Sequence, residues 1–234
     1  MTERGARHCQ RDANRFTIGP SQLQWDGHAL TITIDEIGIP LPRRIRGTVR
    51  VIPDRLFHFS TPLDTQGQHH WGPIAPSARV EVDMQQPGLR WSGHAYLDSN
   101  EGTEPIDRAF KEWDWSRCQL ADGSTAVIYD VEPGQPNGRL LALRFHPDGR
   151  VTEFEAPPLR KLPKTAWRLP RRMRSDSPVS VVQQLEDTPF YQRAVLQSQL
   201  LGETVTSFHE TLNVPRLISP IVQAMLPWRM PRRG

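Results

Sequence analysis

Apolar and polar residues alternate with a period of two along much of the chain, and turn dipeptides cut this pattern at short intervals. A period of two places every second side chain on one face of an extended strand. Leu30, Ile32 and Ile34 alternate with threonines. Ile45, Val49 and Val51 share a face, with Arg46, Thr48 and Arg50 opposite. Ala78, Val80, Val82 and Met84 alternate with Arg79, Glu81 and Asp83, and Leu89–Asp98, Ser124–Val131 and Leu140–Phe145 read the same way. The turns are Asp26-Gly27, Pro87-Gly88, Asp122-Gly123, Asn137-Gly138 and Asp148-Gly149. The 22 prolines suit loops and strand ends and argue against a helix bundle. The expected fold is mostly β, an antiparallel sandwich or barrel. One short helical turn fits between Pro105 and Trp113. A clearer helix starts near the C-terminus, with Ser219 as cap, Pro220 at the first position, and Ile218, Ile221, Val222, Met225 and Leu226 at helical spacing.

A length of 234 residues suits one large domain or two small ones. The net charge is only +3, and lysine occurs at Lys111, Lys161 and Lys164 alone. Between Arg160 and Arg174 stand Arg160, Lys161, Lys164, Arg168, Arg171, Arg172 and Arg174, with no acid among them. A solvated, proline-broken loop face is the plainest reading, and contact with anionic lipid headgroups is the second. No nucleic-acid motif accompanies the run, so no nucleic-acid partner is expected. Cys9 and Cys118 form neither a disulfide framework nor a metal motif, which suits a reducing cytoplasm. The polar start is unlike a signal peptide, and no apolar run approaches transmembrane length.

Chemistry-bearing residues concentrate between His69 and Arg117. In His69-His70-Trp71-Gly72-Pro73, strand geometry puts His69 and Trp71 on one face and His70 on the other. In Trp91 to Gly102, His94, Tyr96 and Asp98 share a face opposite Trp91 and Leu97. In Trp113-Asp114-Trp115-Ser116-Arg117, Trp113, Trp115 and Arg117 share a side. Each has a plainer reading. A lone His or Trp more often packs, Asp98-Ser99-Asn100 with Gly102 resembles a turn, and an Asp98–Arg117 ion pair would be structural. There is no P-loop, dinucleotide glycine fingerprint, GxSxG elbow or HExxH motif, and adjacent His69 and His70 make a poor zinc pair.

These same stretches resemble the carotenoid 1,2-hydratase family, also called hydroxyneurosporene synthases. The likeness lies in His69-His-Trp-Gly-Pro-Ile-Ala-Pro76 with Ala78-Arg-Val-Glu-Val82, in Trp91-Ser-Gly with Tyr96-Leu-Asp-Ser-Asn-Glu-Gly102, and in Phe110-Lys-Glu-Trp-Asp-Trp-Ser-Arg117. Arg15-Phe-Thr-Ile-Gly-Pro20, Pro40-Leu-Pro-Arg-Arg-Ile-Arg-Gly47 and the tail from His209-Glu-Thr-Leu to Arg232 agree as well, so it covers nearly the whole chain. His94 departs from the smaller residue, often glycine, that is usual there. The resemblance implies a lipocalin-like fold of two related β domains with a pocket between them. It also implies cofactor-free addition of water to the terminal C1=C2 bond of acyclic carotenoids such as neurosporene or lycopene. By motif, the implied functional residues are His69, Trp71, Tyr96 and Asp98; Trp91, His94, Trp113, Trp115 and Arg117 are expected to line the pocket. The family normally carries an aromatic-rich β region ahead of the stretch resembling Met1-Thr-Glu-Arg-Gly5. The expected segments are therefore 1–62, the remainder of a first domain with an open sheet edge; 63–215, the second domain with the site; and 216–234, an amphipathic helix and basic tail.

Alkene hydration needs a strong acid and stabilisation of a carbocation. An Asp carboxyl, ordinarily at a pKa of about 3.9, rises on burial and then supplies a proton. Asp98 is one candidate acid, with Trp71 and Tyr96 offering π faces to the cation at roughly 2 kcal/mol each and His69 handling water. His69 as acid and Asp98 as base is the other assignment, and an adjacent Arg117 would favour it. Different in kind are a non-catalytic carrier of a hydrophobic ligand and another polyene reaction on the same scaffold. A membrane-dissolved substrate places the protein at the cytoplasmic face of the membrane, with Ser219–Trp228 and its flanking arginines at the anionic surface.

Overall fold

The structure, a computed structural model, describes residues 3–38, 41–136, 138–229 and 232–233. The strands are β1 (Glu3–Arg4), β2 (Cys9–Arg11), β3 (Arg15–Ile18), β4 (Ser21–Trp25), β5 (Leu30–Ile37), β6 (Arg44–Pro53), β7 (Thr61–Pro62), β8 (His69–Gln86), β9 (Leu89–Gly102) and β10 (Glu112–Gln119). They continue as β11 (Thr125–Val131), β12 (Arg139–Phe145), β13 (Val151–Glu153), β14 (Leu159–Lys161), β15 (Arg172–Arg174), β16 (Ser180–Asp187), β17 (Tyr191–Leu200), β18 (Glu203–Asn213) and β19 (Arg232–Arg233). The helices are α1 (Ile106–Ala109), α2 (Val214–Leu217) and α3 (Pro220–Arg229). The fold is thus mostly β and lipocalin-like, as expected. Among the described residues both large sheets are open rather than closed into a barrel.

Two compact units share the chain. One comprises Met1–Leu56, Ser77–Leu97 and Gln223–Gly234; the other comprises Phe57–Pro76 and Asp98–Val222. They interleave in sequence, unlike the consecutive segments 1–62, 63–215 and 216–234. Long strands cause this. β8 has 18 residues, roughly 60 Å of extended chain, and it passes from one unit into the other.

In the first unit, antiparallel neighbours run β2-β3-β4-β5-β6-β8, with β9 also on β8. The Asp26-Gly27 turn forms as its residues require. Asp26 Oδ1 accepts from the His28 and Ala29 amides at 2.8 and 2.7 Å, and Gly27 takes φ +92°. Asn137 lies outside the described residues.

The second unit holds a seven-stranded antiparallel sheet in the order β13-β12-β11-β10-β18-β17-β16. Its register settles which side chains share a face. Trp113, Trp115 and Arg117 lie on one side with Tyr129, Glu210 and Phe208, as their spacing predicted. Asp114, Ser116 and Cys118 lie on the other with Ile128, His209 and Ser207. This second face packs Cys118, Leu120, Ala126, Ile128, Ala142, Leu200 and Val205 together, with Leu162, Met173, Ala194 and Leu196 as a second cluster.

The same face explains the arginine run. Arg174 Nε donates to Asp130 Oδ2 at 2.7 Å, Arg172 pairs with Glu112, and the Arg172 amide donates to Asp114 Oδ1 at 3.3 Å. Arg171 Nε donates to the Pro163 carbonyl at 2.8 Å, and Arg160 bonds the carbonyls of Ser175 and Asp176. Four of the seven basic residues are therefore used inside the unit, and only Lys161, Lys164 and Arg168 are exposed. The expected solvated face is corrected accordingly: the acids that pair with the run come from β10 and β11, far away in sequence. Burial raises Asp114 to about 7, against its bonds from Thr211 and Arg172, and lowers His209 to about 4. A cavity of about 10 Å³ lies among Asp114, Asp130, Arg172 and His209, roughly the room one water needs.

The C-terminal helix is present with Pro220 at its start. The Ser219 hydroxyl donates to the Arg216 carbonyl at 2.8 Å, while Asn213 caps the unforeseen α2 by accepting from the Arg216 amide. The side chains of Leu226 to Arg229, Arg232 and Arg233 lie outside the described residues.

Candidate active site

The His69-His70-Trp71-Gly72-Pro73 segment opens β8, where β7 pairs with it antiparallel: Thr61 faces Trp71 and Pro62 faces His70. His69 and Trp71 point to the same, buried side, at 8% and 1% exposure. The Asp98 stretch is not a turn. It continues β9 as far as Gly102, and β9 pairs with β8.

That pairing brings two of the expected residues together. The Trp71 indole Nε1–H donates to Asp98 Oδ2 at 2.8 Å. This bond fixes one oxygen of the Asp98 carboxyl against the indole. The Trp71 ring is enclosed by edge-to-face contacts with Tyr129 at 5.5 Å, Phe59 at 6.4 Å and Phe145 at 6.4 Å. Trp71 thus links this aromatic cluster to the Asp98 carboxyl.

His69 is held from three directions. Its amide donates to Asp64 Oδ2 at 2.6 Å, its ring meets Phe110 edge-on at 5.5 Å, and Gly102 lies beneath it. A Cβ on Gly102 would fall 2.6 Å from His69 Nδ1. The buried Nε2 has no hydrogen-bond partner among the described residues. A buried polar atom without a partner is uncommon.

The expected residues of the third stretch share one face of β10. Trp113 and Trp115 stand on the same side as Tyr129, with the Trp113 and Tyr129 rings 5.6 Å apart. Arg117 stands over the Phe208 ring at 4.7 Å. Tyr129 is pushed well above the ordinary phenol range, first by burial and then by the charges of Asp98 and Glu210. Tyr96, Trp91 and His94 fall in the first unit, on the earlier part of β9. Tyr96 is half-buried, whereas His94 is exposed and Trp91 is 48% exposed.

Tyr129, Phe59 and Glu210 were not foreseen as site residues. Tyr129 sits in Ile128-Tyr129-Asp130, a fully buried strand without alternation, and Phe59 lies in a proline-flanked loop. The signal for Glu210 was available in His209-Glu-Thr-Leu212, but only as a family likeness without a chemical reading.

Known proteins resemble this arrangement along its whole length. The family model described as carotenoid hydratase CrtC matches residues 1–234. The acyclic carotenoid 1,2-hydratase of Rubrivivax gelatinosus is 57% identical over 236 residues, covering 100% of this chain and 58% of that protein. The enzyme of the same name from Thiocapsa roseopersicina is 50% identical, again over 100% of this chain and 58% of that protein. Its namesake from Rhodobacter capsulatus is 37% identical over 100% of this chain and 84% of its own length. The chain thus spans 58% of the first two relatives. A solved Nitrosomonas europaea structure designated AttH superposes with a TM-score of 0.61 over 88% of this chain and 71% of that one, at 12% identity, a likeness of fold alone. With a full-length model match and a Trp–Asp contact that joins the two motifs carrying the likeness, the chain belongs to the CrtC carotenoid hydratase family.

Proposed function

We propose that this protein adds water to the terminal C1=C2 double bond of acyclic carotenoids, and that the buried Trp71–Asp98 pair lies at the centre of that reaction. The hydrogen bond between them is the observation that carries the reading. It sets a carboxyl group, half-buried itself, against an aromatic wall of Trp71, Tyr129 and Trp113. Protonation of the alkene at C2 by the Asp98 carboxyl, whose O–H bond breaks as the π pair takes the proton, leaves positive charge at C1, the more substituted carbon, and a carboxylate at Asp98. A fixed carboxylate in a low-dielectric setting stabilises that charge in the transition state, and afterwards takes a proton from the attacking water. His69 Nε2 is the group positioned to hold that water.

A substrate dissolved in membrane requires contact with the bilayer. Supporting this, Ile218, Ile221 and Met225 are 48%, 76% and 43% exposed along one helix and its lead-in, a spacing that forms a stripe. Arg216 does not serve as a headgroup contact, since its guanidinium bonds the carbonyls of Trp167, Pro189 and Arg168. That apolar stripe supports contact with the bilayer surface.

The deciding measurement supplies lycopene in phosphatidylglycerol-containing vesicles to the purified chain and follows products by chromatography and mass. The expected product carries one added water as a tertiary alcohol, and the chain cosediments with vesicles, less so at high salt. Recovery of bound but unchanged carotenoid would leave a carrier and overturn the enzymatic reading.

The glycine under His69 gives a second test. In Gly102→Ala, the new methyl must displace the imidazole. Misplacement of a positioned group by about 1 Å costs up to ~10²-fold in rate. Turnover is expected to fall ~10-fold or more with carotenoid binding retained. Unchanged turnover would remove the His69 imidazole from the chemistry.

A further inference from the structure

Strands β14 and β15 are joined by a tip, 162–171, with the sequence Leu162-Pro-Lys-Thr-Ala-Trp-Arg-Leu-Pro-Arg171. Its base is closed twice. The Leu162 amide donates to the Arg171 carbonyl at 3.1 Å, and Arg171 Nε donates to the Pro163 carbonyl at 2.8 Å. Leu162 and Leu169 are sunk into the unit, at 7% and 0% exposure. Trp167, between them, is 51% exposed. Tryptophan carries one of the largest apolar surfaces that folding can bury, yet here the backbone holds it outward. The Arg168 amide donates to the Thr165 carbonyl at 2.9 Å, the Leu169 amide to Thr165 Oγ1 at 3.3 Å, and the Ala166 amide to Asp187 Oδ2 at 2.9 Å. Arg168 takes φ +52°, in the left-handed region that favours glycine.

The tip is also tied to α2 and the lead-in to α3. Arg216 donates to the carbonyls of Trp167, Pro189 and Arg168 at 2.9, 3.3 and 3.4 Å. Two residues on stands Ile218, and then Ile221, at 48% and 76% exposure. The Val214 amide donates to the Lys111 carbonyl at 2.7 Å, which brings Lys111 to the same helix. Lys111, Lys161, Lys164 and Arg168 are all exposed. Neither 160–175 nor 211–234 contains an Asp or Glu.

We propose that the 162–171 tip, with Ile218 and Ile221, is a docking surface for an anionic lipid bilayer: Trp167 enters the interface, and the lysines and Arg168 meet the headgroups. This rests on the membrane contact read above and names a second element that makes it.

A single exposed Trp or Ile needs no explanation. The combination selects the partner. Tryptophan concentrates at the membrane–water interface, and each basic side chain near an anionic surface strengthens binding about fivefold. Lysine is depleted in protein–protein interfaces, so a rim in which lysines predominate fits headgroups better than a protein. The tip belongs to the same compact unit as His69, Trp71 and Asp98. Docking therefore brings that unit to the phase in which a carotenoid dissolves.

The test is cosedimentation with phosphatidylcholine vesicles, with and without phosphatidylglycerol. Wild type is expected to bind the anionic vesicles more tightly. Trp167→Ala should weaken that binding ~10-fold. Lys161→Gln combined with Lys164→Gln should weaken it ~10-fold or more, with the difference vanishing at high salt. Tm and hydration of detergent-dispersed lycopene should stay at wild-type values in both. With brominated lipid, Trp167→Phe should show less quenching of its tryptophan emission than wild type. Wild-type affinity in either the Trp167→Ala or the lysine variant overturns the proposal, as does equal binding to neutral and anionic vesicles. If Trp167→Ala does not fold, undiminished quenching in Trp167→Phe overturns it instead. A wild type that hydrates detergent-dispersed lycopene but binds no vesicle refutes the docking surface and leaves the hydratase. One that shows the expected vesicle binding but hydrates lycopene in neither medium refutes the hydratase reading and leaves the docking surface.

Discussion

Asp98→Asn is expected to lower carotenoid hydration by ~10²-fold or more while leaving fold and binding intact. The asparagine amide oxygen can still accept the Trp71 N–H, now made at 2.8 Å, so the aromatic enclosure persists. The carboxyl that gives the alkene its proton, and as a carboxylate takes one back from the attacking water, is lost. The loss should appear in kcat rather than KM, because the carbocation exists only near the transition state. Trp71→Phe serves as the companion. It keeps an aromatic ring against Tyr129 and Phe59 but has no N–H, so Asp98 loses its donor. Its rate should fall through misplacement of the carboxylate, and pairing it with Asp98→Asn should cost little more than Asp98→Asn alone, since the indole acts through Asp98. Full turnover in Asp98→Asn would remove this carboxylate from the mechanism. Full additivity in the double variant would mean that Trp71 does something else.

Much of this was legible beforehand, for identifiable reasons. Strands with one wet and one dry face write their alternation into the sequence, as β8 does with Ala78, Val80, Val82 and Met84 buried; Leu30–Ile37, Arg44–Pro53 and Leu89–Gly102 were legible from the same period of two. Trp71 and Asp98 meet because β8 and β9 are neighbours, whereas Tyr96, expected beside them, falls in the first unit. The three strands between Ser180 and Asn213 were missed because their pattern is inverted. The inward positions of β18 include Ser207, His209 and Thr211, all buried, while Phe208 faces outward at 38% exposure. Polar residues inside are stable there because the other strands supply their partners: Thr211 bonds Asp114 at 2.5 Å and His209 Nε2 lies 2.8 Å from the Arg172 carbonyl. Hydrophobic periodicity cannot register a face held together in this way. The arginine run misled for the same reason. Its counter-charges Glu112, Asp114 and Asp130 are 44 or more residues away in sequence from the arginines they pair with.

Gly72→Ala is expected to be the most damaging single methyl addition at the site. A Cβ at this position would lie 2.3 Å from the Phe59 carbonyl oxygen, with Phe59 C and Ser60 Cα at 3.4 and 3.5 Å. These are backbone atoms, so no rotamer change relieves the clash and the segment itself must move. That segment is fixed at both ends: the Phe57 amide donates to Ile74 O at 2.9 Å, and the Leu63 amide donates to His69 O at 2.8 Å. Between these points it delivers Phe59 against Trp71 and Phe145. Overpacking of a tight site costs roughly 1–3 kcal/mol and occasionally more. An immovable backbone puts this one toward the upper end, a fall of ~5 °C or more in Tm for a chain of this size. The segment's displacement also opens the enclosure that fixes the indole, so hydration should fall further than stability alone requires. The glycine after Trp71 is then explained by the close approach of Phe59 rather than by a turn. Thermal unfolding of Gly72→Ala beside wild type tests this directly: an unchanged Tm, with turnover intact, would show that the strand and the Phe57–Leu63 segment do not lie this close.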